Sequence, residues 1–248
     1  MPKTMVVTGA SRGLGAAIAR GAAREGYRIA VNYLNSEREA EELCSELAEI
    51  GAEAVAIRAD MATSDGILHL FAEVDRVFGP LDVLIANSGI AGPKLSIEEL
   101  DPASFAAVMA ANVNSLVFSA REAVLRMSRK HGGSGGSIVV MSSVATRLGG
   151  RPGMLAYTVS KGAADAFTLA MARELAGTGI RINALRPGMI DTSIHDAYGG
   201  RAALENFTGL IPLGRIGEPN EVAEAALFLA SDKASYIHGA ILDIGGGR

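Results

Sequence analysis

Short apolar segments alternate with longer amphipathic segments along this chain, and the alternation constrains the fold more than any other feature of the sequence. The short segments have the length and β-branched content of strands, whereas the longer ones have apolar residues at helical spacing. The predicted strands are Lys3–Thr8, Arg28–Tyr33, Glu53–Arg58, Leu81–Ala86, Gly136–Met141, Arg181–Leu185 and Ala240–Ile244. The predicted helices are Gly13–Arg24, Ser36–Ile50, Ser64–Phe78, Pro102–Lys130, Leu155–Ala176 and Pro219–Ala230, with Ser36 as a candidate N-cap.

Strands separated by helices of 10 or more residues imply right-handed crossovers, which place the strands in a mostly parallel sheet. Apolar runs such as Ser137–Met141 suit strands that are buried on both faces. No linker, repeat or low-complexity tract divides the chain. We therefore predict an α/β fold: one doubly wound domain over residues 1–248, with a seven-stranded, mostly parallel sheet and helices on both of its faces.

Charge and composition exclude several classes of function. The net charge of −4 disfavours a nucleic-acid partner held by bulk electrostatics. The single cysteine, Cys44, excludes an internal disulfide framework, and the four scattered histidines have no metal-ligand spacing, so no metal is expected. We find no signal-peptide pattern and no apolar run near the ~20 residues that span a bilayer, so a cytoplasmic protein without a membrane partner is expected.

A glycine-rich turn joins the first predicted strand directly to the first helix. Thr8 is followed by Gly9, Gly13 and Gly15, with Ser11, Arg12 and Leu14 between them. Such a unit lets backbone N–H groups approach a pyrophosphate at the helix N-terminus. The spacing differs from the commoner G-x-G-x-x-G fingerprint, and a tight turn without a ligand is the alternative.

The Thr-Gly-x-x-x-Gly-x-Gly spacing resembles the cofactor signature of the short-chain dehydrogenase/reductase family. Three further motifs resemble family motifs in the same order: Asp60–Met61, Asn87–Gly89 and Pro187–Gly188, which follow the third, fourth and sixth strands. The resemblance covers nearly the whole chain and is closest to bacterial sugar (glucose 1-dehydrogenase-like) dehydrogenases and 3-oxoacyl-acyl-carrier-protein reductases. It implies a Rossmann fold, a nicotinamide cofactor and a substrate lid over about residues 189–217.

The glycine turn, the end of the second strand and the resemblance together predict the residues of the cofactor site. They are Gly9, Ser11, Arg12, Gly13, Leu14, Gly15, Asn32, Tyr33, Asp60, Met61, Asn87, Ser88, Gly89, Tyr157, Lys161, Pro187, Gly188, Ile190 and Thr192.

The end of the second strand indicates which dinucleotide is preferred. An NAD site places a carboxylate there for the ribose 2′-hydroxyl, but residues 26–36 contain none. Arg12 could pair with a 2′-phosphate, and Arg38 is a possible second partner. Glu37 opposes this interpretation, because a small shift in register would direct it at the ribose. We predict a preference for NADP(H), with NAD(H) as the alternative.

Tyr157 and Lys161 are four residues apart in a predicted helix and so share one face. A tyrosine with its ordinary pKa of about 10 is a poor base near neutral pH. A nearby ammonium favours the phenolate, so that Tyr157 could exchange a proton with an alcohol or a carbonyl oxygen while a hydride moves to or from the cofactor. The family places its catalytic Tyr-x-x-x-Lys pair at this position.

Two serines compete for the role of hydrogen-bonding the reacting oxygen. Ser143 precedes Tyr157 by 14 residues, one more than is usual in the family, and relatives with a Ser-Ser pair align the second serine. We therefore favour Ser143 and keep Ser142 as the alternative. Asn112 resembles the family's helix Asn, which holds a water beside the lysine in a proton relay.

The resulting prediction is an enzyme that transfers hydride between a nicotinamide and a small carbonyl or alcohol substrate. A non-catalytic, regulatory NADP-binding protein and a non-redox isomerase or dehydratase are the rival hypotheses. His195, in the predicted lid, is interpreted as a polar lid residue. The resemblance implies a homotetramer, with a homodimer as the alternative.

Overall fold

The computed structural model describes residues 2–192 and 208–248, and in them an α/β architecture. The strands are β1 Thr4–Val7, β2 Arg28–Tyr33, β3 Ala54–Arg58, β4 Val83–Ala86, β5 Gly136–Met141, β6 Ile180–Pro187 and β7 Ile241–Ile244. The helices are α1 Gly13–Arg24, α2 Glu37–Glu49, α3 Ser64–Val77, α4 Pro102–Met109, α5 Ser115–Met127, α6 Ala145–Leu148, α7 Leu155–Glu174 and α8 Pro219–Ala230.

The seven strands form one sheet in the order β3-β2-β1-β4-β5-β6-β7, and every pairing between them is parallel. The predicted doubly wound sheet is therefore confirmed, with no antiparallel strand among the described residues. β1 lies between β2 and β4, so the chain leaves β1 and β4 in opposite directions. In an open parallel sheet this switch point, at the carboxyl ends of the strands, is where ligands bind.

Hydrophobic cores cover both faces of the sheet, because alternate side chains of each strand point to opposite faces. Met5 and Val7 of β1 pack into a core with α1, α2 and α8, whereas Val6 packs into the opposite core with α3, α5 and α7. These strand residues are fully buried. Two such layers explain why the strands are almost continuously apolar.

The predicted helix Pro102–Lys130 is not one uninterrupted α-helix. A π-helical turn, Ala110–Asn114, separates α4 from α5, and α5 ends at Met127 because Ser128 adopts an extended conformation. Periodicity could not show the π-helical turn, which inserts one extra residue where Asn112 contacts a neighbouring loop. Such turns are frequent at functional sites.

The helical stretch Pro102–Met127 is long and apolar enough to cross a membrane by length and composition alone, with a mean hydropathy of 1.4 over its apolar window. The expectation that no such stretch exists was therefore wrong. One face of it packs on the sheet, since Leu116, Ala120 and Ala123 are core residues. The core helix of a soluble protein meets the same criteria of length and hydropathy, so these criteria are weak evidence for a membrane-spanning helix.

Two smaller expectations have different outcomes. Ser36 occupies the N-cap position of α2, but its side chain makes no cap hydrogen bond, in contrast to the prediction. The lid predicted over residues 189–217 lies partly outside the described residues, and so does His195. In its described flanks, Met189, Ile190 and Thr192 line a cavity at the carboxyl end of the sheet, and residues 211–217 contribute to a neighbouring cavity that also contains Met189 and Ile190.

Candidate active site

Two adjoining cavities form a crevice at the carboxyl ends of the strands. One, of about 280 Å³, lies between the ends of β1, β2 and β3, and the other, of about 180 Å³, lies beyond β4, β5 and β6. Asn87 and Gly89, just after β4, line both of them. The crevice thus runs continuously across the switch point of the sheet. Below, the two parts are called the outer cavity (280 Å³) and the inner cavity (180 Å³).

The glycine turn after β1 is held in place by two amide side chains. Asn32, at the end of β2, accepts a 3.0 Å hydrogen bond from the Gly9 amide, and Asn87 donates to the carbonyls of Thr8 and Gly9 at 2.8 and 3.0 Å. Asn32 also donates to the Ala59 carbonyl at 3.1 Å. Both side chains, predicted to touch the cofactor, therefore shape the turn that would hold it.

Close packing explains the third glycine of the turn. A Cβ on Gly15 would lie 2.5 Å from the Gly9 carbonyl oxygen and 2.8 Å from Asn87 Nδ2, so only glycine fits there. Gly13 has a positive φ of 58° and faces Thr192. Neither glycine is among the residues that line the two cavities, whereas Gly9, Ser11 and Arg12 line the outer cavity and Leu14 lines the inner one.

Thr8 is a structural residue of the site that the sequence interpretation missed. Its hydroxyl oxygen accepts 2.9 Å hydrogen bonds from the amides of Asn87 and Ser88 and thereby ties the loop after β4 to the end of β1. The signal was its place immediately before the first glycine, at the end of a strand. Ser88 and Gly89 themselves line the outer cavity.

The far end of the outer cavity contains the residues that were expected to select the dinucleotide. Arg12 is exposed and lines this cavity together with Tyr33, Asn35 and Ser36. Glu37 is not among the lining residues, and its carboxylate accepts a 3.0 Å hydrogen bond from the Tyr33 hydroxyl.

Arg38 lies apart from this cavity. It is not among the lining residues, and its guanidinium is about 4 Å from the carboxylates of Glu39 and Glu42 on the surface of α2. Of the two arginines considered for the 2′-phosphate, Arg12 is therefore the one at the cavity.

Asp60 and Met61 line the outer cavity at the end of β3, as the family motif implied. The Asp60 carboxylate accepts a 2.9 Å hydrogen bond from the Ala62 amide, which fixes its orientation, and Met61 is buried. An adenine ring would find an apolar surface and a polar rim here.

Tyr157, Lys161 and Ser143 meet at the inner cavity, which all three line. Lys161 is 7% exposed, and its Nζ donates a 2.7 Å hydrogen bond to the Met141 carbonyl at the end of β5. The same Nζ lies 5.8 Å from the centroid of the Tyr157 ring. Burial lowers the pKa of Lys161 to about 8, and the carboxylate of Asp165 partly opposes that shift.

The two candidate serines have different surroundings. The Ser142 hydroxyl donates to Asp165 Oδ1 at 2.6 Å and also lies 3.2 Å from the Lys161 carbonyl, both on α7. The Ser143 hydroxyl accepts a 3.2 Å hydrogen bond from the Ala145 amide, which leaves its proton for another acceptor. Both serines line the inner cavity with Tyr157, but the Ser142 hydroxyl donates to α7, whereas the Ser143 hydroxyl keeps its proton for another partner.

Asn112 lies in the π-helical turn, 4% exposed, behind Lys161. Its side chain accepts from the Ile90 amide at 2.7 Å and donates to the Ile90 carbonyl and to Ser160 Oγ, both at 2.9 Å. Asn112 and Lys161 both line a small cavity of about 10 Å³, the volume that one water molecule needs.

The loop after β6 closes the other side of the inner cavity. Pro187, at the end of β6, and Gly188, Ile190 and Thr192 after it line the same cavity as Tyr157. A Cβ on Gly188 would lie 2.8 Å from the Gly245 Cα, so this loop packs tightly on the chain after β7. The described residues contain no cluster of three His, Cys, Asp or Glu side chains that could bind a metal.

A family model, curated relatives and solved structures all place this chain in the same protein family. A family model described as enoyl-(acyl carrier protein) reductase matches residues 9–248. A 3-oxoacyl-[acyl-carrier-protein] reductase, FabG of Staphylococcus aureus, is 37% identical over 247 residues, which are all of this chain and 98% of the relative. A solved short-chain dehydrogenase/reductase from Serratia marcescens superposes with a TM-score of 0.91 at 32% identity, over 99% of this chain and 97% of that one. The chain belongs to the short-chain dehydrogenase/reductase family.

A further relative in this short-chain dehydrogenase/reductase family is an uncharacterized oxidoreductase, YgfF of Escherichia coli, which is 40% identical over 98% of both chains. The family resemblance predicted from the motifs is thereby confirmed. Membership identifies the protein as an oxidoreductase that transfers hydride with NAD(P)(H) as its cofactor.

Several residues of the inner cavity in this short-chain dehydrogenase were not predicted. Those on its outer wall are Leu148, Gly150, Arg151, Met154, Thr158 and Arg248. They come from α6, the loop after it, α7 and the C-terminus, which no local pattern connects. Asp165 was also missed, although the spacing Tyr157, Lys161, Asp165 repeats every four residues and places all three on one face of α7.

Proposed function

We propose that the protein is an NADP(H)-dependent oxidoreductase that interconverts a carbonyl group and a secondary alcohol of a small molecule, with Tyr157 as the acid/base. The observation that carries the proposal is the convergence of Tyr157, Lys161 and Ser143 on one cavity of about 180 Å³ at the switch point of the sheet. The residues that would hold a dinucleotide line the same crevice.

The crevice fits a dinucleotide in two respects. It is continuous across the switch point of the sheet. In addition, the glycine turn is packed so closely at Gly15 that a Cβ there would collide with the Gly9 carbonyl oxygen, so only glycine is accommodated. Gly9 and Ser11 would face the pyrophosphate and Arg12 the 2′-phosphate, while Pro187, Gly188, Ile190 and Thr192 would border the nicotinamide. When bound, the nicotinamide supplies or accepts the hydride.

Each catalytic side chain has a distinct task in this mechanism. Tyr157 donates its phenolic proton to a carbonyl oxygen during reduction and removes the proton from the alcohol during oxidation. The ammonium of Lys161, 5.8 Å from the Tyr157 ring centroid, stabilises the phenolate that remains. The Ser143 hydroxyl donates a hydrogen bond to the reacting oxygen and polarises it.

The proton that leaves Tyr157 is replaced through the space behind Lys161. A cavity of the volume of one water lies between Lys161 and Asn112, and it is also bordered by the Ser88 and Ser115 side chains. A water held there would accept a hydrogen bond from Lys161 and link the ammonium to the π-helical turn. Asn112 keeps this turn in place through its two hydrogen bonds to Ile90.

The preference for NADP(H) is supported by the charges at the end of the outer cavity. Arg12 is the cation there, and Glu37, the carboxylate that follows the second strand, is held by the Tyr33 hydroxyl and does not line the cavity. The carboxylate that does line it, Asp60, lies at the end of β3. A 2′-phosphate would gain an ion pair with Arg12 and meet no opposing charge among the lining side chains of the strand end. The ribose of NAD(H) would find no acidic partner in the same place.

The substrate class follows from the walls of the inner cavity. Many of the residues that line this cavity together with Tyr157 are apolar, among them Ala91, Val144, Leu148, Met154 and Met189. A small substrate with an apolar body and one carbonyl group fits such walls. The similarity to a 3-oxoacyl-[acyl-carrier-protein] reductase makes β-keto thioesters the first substrates to test.

The experiment is to follow NADPH and NADH absorbance with the purified protein over ketones, diketones, aldoses and acetoacetyl thioesters, with Tyr157→Phe as the matched variant. We expect substrate-dependent oxidation of NADPH, a slower rate with NADH, and a loss of at least about 100-fold in Tyr157→Phe. Cofactor binding without any turnover would favour a regulatory protein. Substrate conversion without a change in absorbance would favour an isomerase or dehydratase.

We also propose that the protein is a cytoplasmic homotetramer. Apolar side chains remain exposed on two helices of the same face of the sheet, Phe118 and Leu125 on α5 and Val159 and Leu169 on α7. Their burial between subunits would remove this surface from water. Light scattering should give a molar mass four times the 25.6 kDa of one chain, and Leu169→Glu should lower it; a monomeric mass for the unmodified chain would contradict the proposal.

A further inference from the structure

Asp165 is a buried carboxylate next to the catalytic side chains that the mechanism above does not use. It lies on α7, one turn beyond Lys161, and is 7% exposed. Its Oδ1 accepts a 2.6 Å hydrogen bond from Ser142, and its Oδ2 accepts from Arg186 Nε and Nη2 at 3.1 and 2.8 Å. These two partners lie at the ends of β5 and β6, which carry the site.

The contacts of Asp165 continue into a closed circuit of charged side chains. Arg186 Nη1 lies 3.5 Å from Asp243 Oδ1 on β7, and Asp243 Oδ2 lies 3.0 Å from Arg147 Nε on α6. α6 follows Ser143 directly in the chain, so the circuit returns to the strand end where it began. Two carboxylates and two guanidinium groups alternate in it, and their formal charges cancel.

Ser143 is enclosed by this circuit. Its backbone is held on one side by the bond from Ser142 to Asp165 and on the other side by the ion pair of Arg147 with Asp243. The Ser142 hydroxyl also lies 3.2 Å from the Lys161 carbonyl, which links the serine loop to the helix that carries Tyr157. The relative positions of the serine and of the tyrosine–lysine pair therefore depend on Asp165.

Asp165 also acts on the charge of Lys161. The groups that face Lys161 are the Met141 carbonyl on β5, the Tyr157 ring and Asp165 on α7, and, around the small water-sized cavity, Asn112 of the π-helical turn. Among these, Asp165 is the one carboxylate. It raises the pKa of Lys161, against the larger lowering by burial. Arg186, in contact with Asp165, offsets part of its charge.

We infer that Asp165 is a positioning residue of the reaction: it holds the loop of Ser143 against α7 and keeps the Lys161 ammonium beside Tyr157. The inference rests on the proposed function, because its readout is the pH dependence of carbonyl reduction. A side chain that served the fold alone would affect the rate equally at every pH.

The test is the pH profile of kcat/KM for carbonyl reduction between pH 6 and 10, in wild type and in Asp165→Asn. Asparagine keeps the shape and can still accept the Ser142 hydrogen bond, but the carboxylate no longer supports the Lys161 ammonium. The alkaline limb of the profile should therefore move to lower pH by about one unit. Activity should fall about ten-fold more at the alkaline end than at pH 6.5.

Arg186→Gln provides the opposite change and keeps the inference testable if Asp165→Asn does not fold. Loss of this cation leaves the charge of Asp165 less compensated, so the alkaline limb should move to higher pH. Ser142→Ala retains both charges and should lower kcat while the limb stays in place. The matched control is Asp75→Asn, which neutralises another carboxylate paired with an arginine: Asp75 on α3 pairs with Arg126 on α5. This variant should leave the pH profile unchanged.

Two outcomes separate the inference from the proposed function. If wild type reduces a substrate and Tyr157→Phe does not, but neither Asp165→Asn nor Arg186→Gln moves the limb, then Asp165 serves the fold alone and the inference is overturned. If wild type reduces no substrate of the panel, it is the proposed function that fails.

Discussion

The hydroxyl of Tyr33 donates a 3.0 Å hydrogen bond to the carboxylate of Glu37, which is not among the residues that line the outer cavity. Glu37 opens α2 directly after the strand end where NAD-binding relatives of this fold place an acid. The Tyr33 ring is buried and lines the cavity, so its hydroxyl is fixed and keeps the carboxylate aside. The cation of Arg12 then has no competitor among the lining side chains of the strand end.

Tyr33→Phe should therefore weaken the preference for NADPH over NADH. A carboxylate that turns to within 4 Å of a 2′-phosphate costs about 1 kcal/mol even at the dielectric constant of water, which is about five-fold in Kd. Fluorescence titration with both reduced cofactors measures the ratio of the two Kd values. Tyr236→Phe, on a fully exposed tyrosine, is the matched control; an unchanged ratio in Tyr33→Phe would contradict the assignment.

Arg12→Gln should weaken NADPH binding by ten-fold or more and leave the Kd of NADH within about two-fold. The reason is that a hydrogen bond to a charged group contributes about 1.5–3 kcal/mol, and only NADPH carries the 2′-phosphate. Arg38→Gln serves as the control, because Arg38 is paired with Glu39 and Glu42 and does not line the cavity. Equal losses for both cofactors would place Arg12 at the pyrophosphate instead.

Gly15→Ala should lower both cofactor affinity and stability. The added Cβ would lie 2.5 Å from the Gly9 carbonyl oxygen, so the turn must shift, at a cost of about 1–3 kcal/mol. The same substitution at Gly162, within α7, meets no heavy atom within 4 Å and should leave stability unchanged or raise it by up to about 1 kcal/mol. Thermal unfolding with and without NADPH compares the two variants; equal behaviour would refute the role given to Gly15.

Lys161 should make the stability of the fold depend on pH. Burial lowers its pKa from an ordinary 10.5 to about 8, so between these values the unfolded chain binds a proton that the folded chain does not. The contribution of Lys161 to stability therefore rises with pH across this window, and below pH 8 the buried ammonium costs its full penalty.

Lys161→Met should accordingly raise the free energy of unfolding at pH 7 by on the order of 2 kcal/mol, the burial penalty less the lost hydrogen bond to Met141. The advantage should shrink as pH rises from 8 towards 10, while activity is lost throughout. Urea unfolding at several pH values tests this, with the exposed Lys130→Met as control. An advantage that is constant over the window would mean that Lys161 is not the titrating group.

Ser142 and Ser143 illustrate where sequence reasoning reached its limit. Both follow β5, and the loop is one residue longer than usual, so spacing alone could not separate them. In the structure both serines line the cavity of Tyr157, but the first hydroxyl donates to Asp165, whereas the second only accepts a hydrogen bond from the Ala145 amide. The partner that engages the first hydroxyl, Asp165, lies 23 residues further along the chain on a helix, and no local pattern connects the two.

The π-helical turn at Asn112 has a similar explanation. Helical periodicity predicted that Pro102–Lys130 is mostly helical but did not locate the turn, since a single inserted residue barely alters an apolar pattern. The insertion is stabilised from outside the helix, by hydrogen bonds between Asn112 and the backbone of Ile90, 22 residues away in the chain. The sequence around Asn112 contains no pattern that indicates a hydrogen bond to Ile90.

The sequence alone determined the parallel sheet, its helices and the identity of the chemical groups at the strand ends, because strand and helix periodicity, glycine turns and the Tyr-x-x-x-Lys pair are all local patterns. Only the tertiary structure decided which of those groups share a cavity and what holds them. The circuit from Ser142 through Asp165, Arg186 and Asp243 to Arg147 joins four separate segments of the chain. Its ion pairs depend on distances of a few ångströms, and those are set by the packing of α7 and the tail against the sheet.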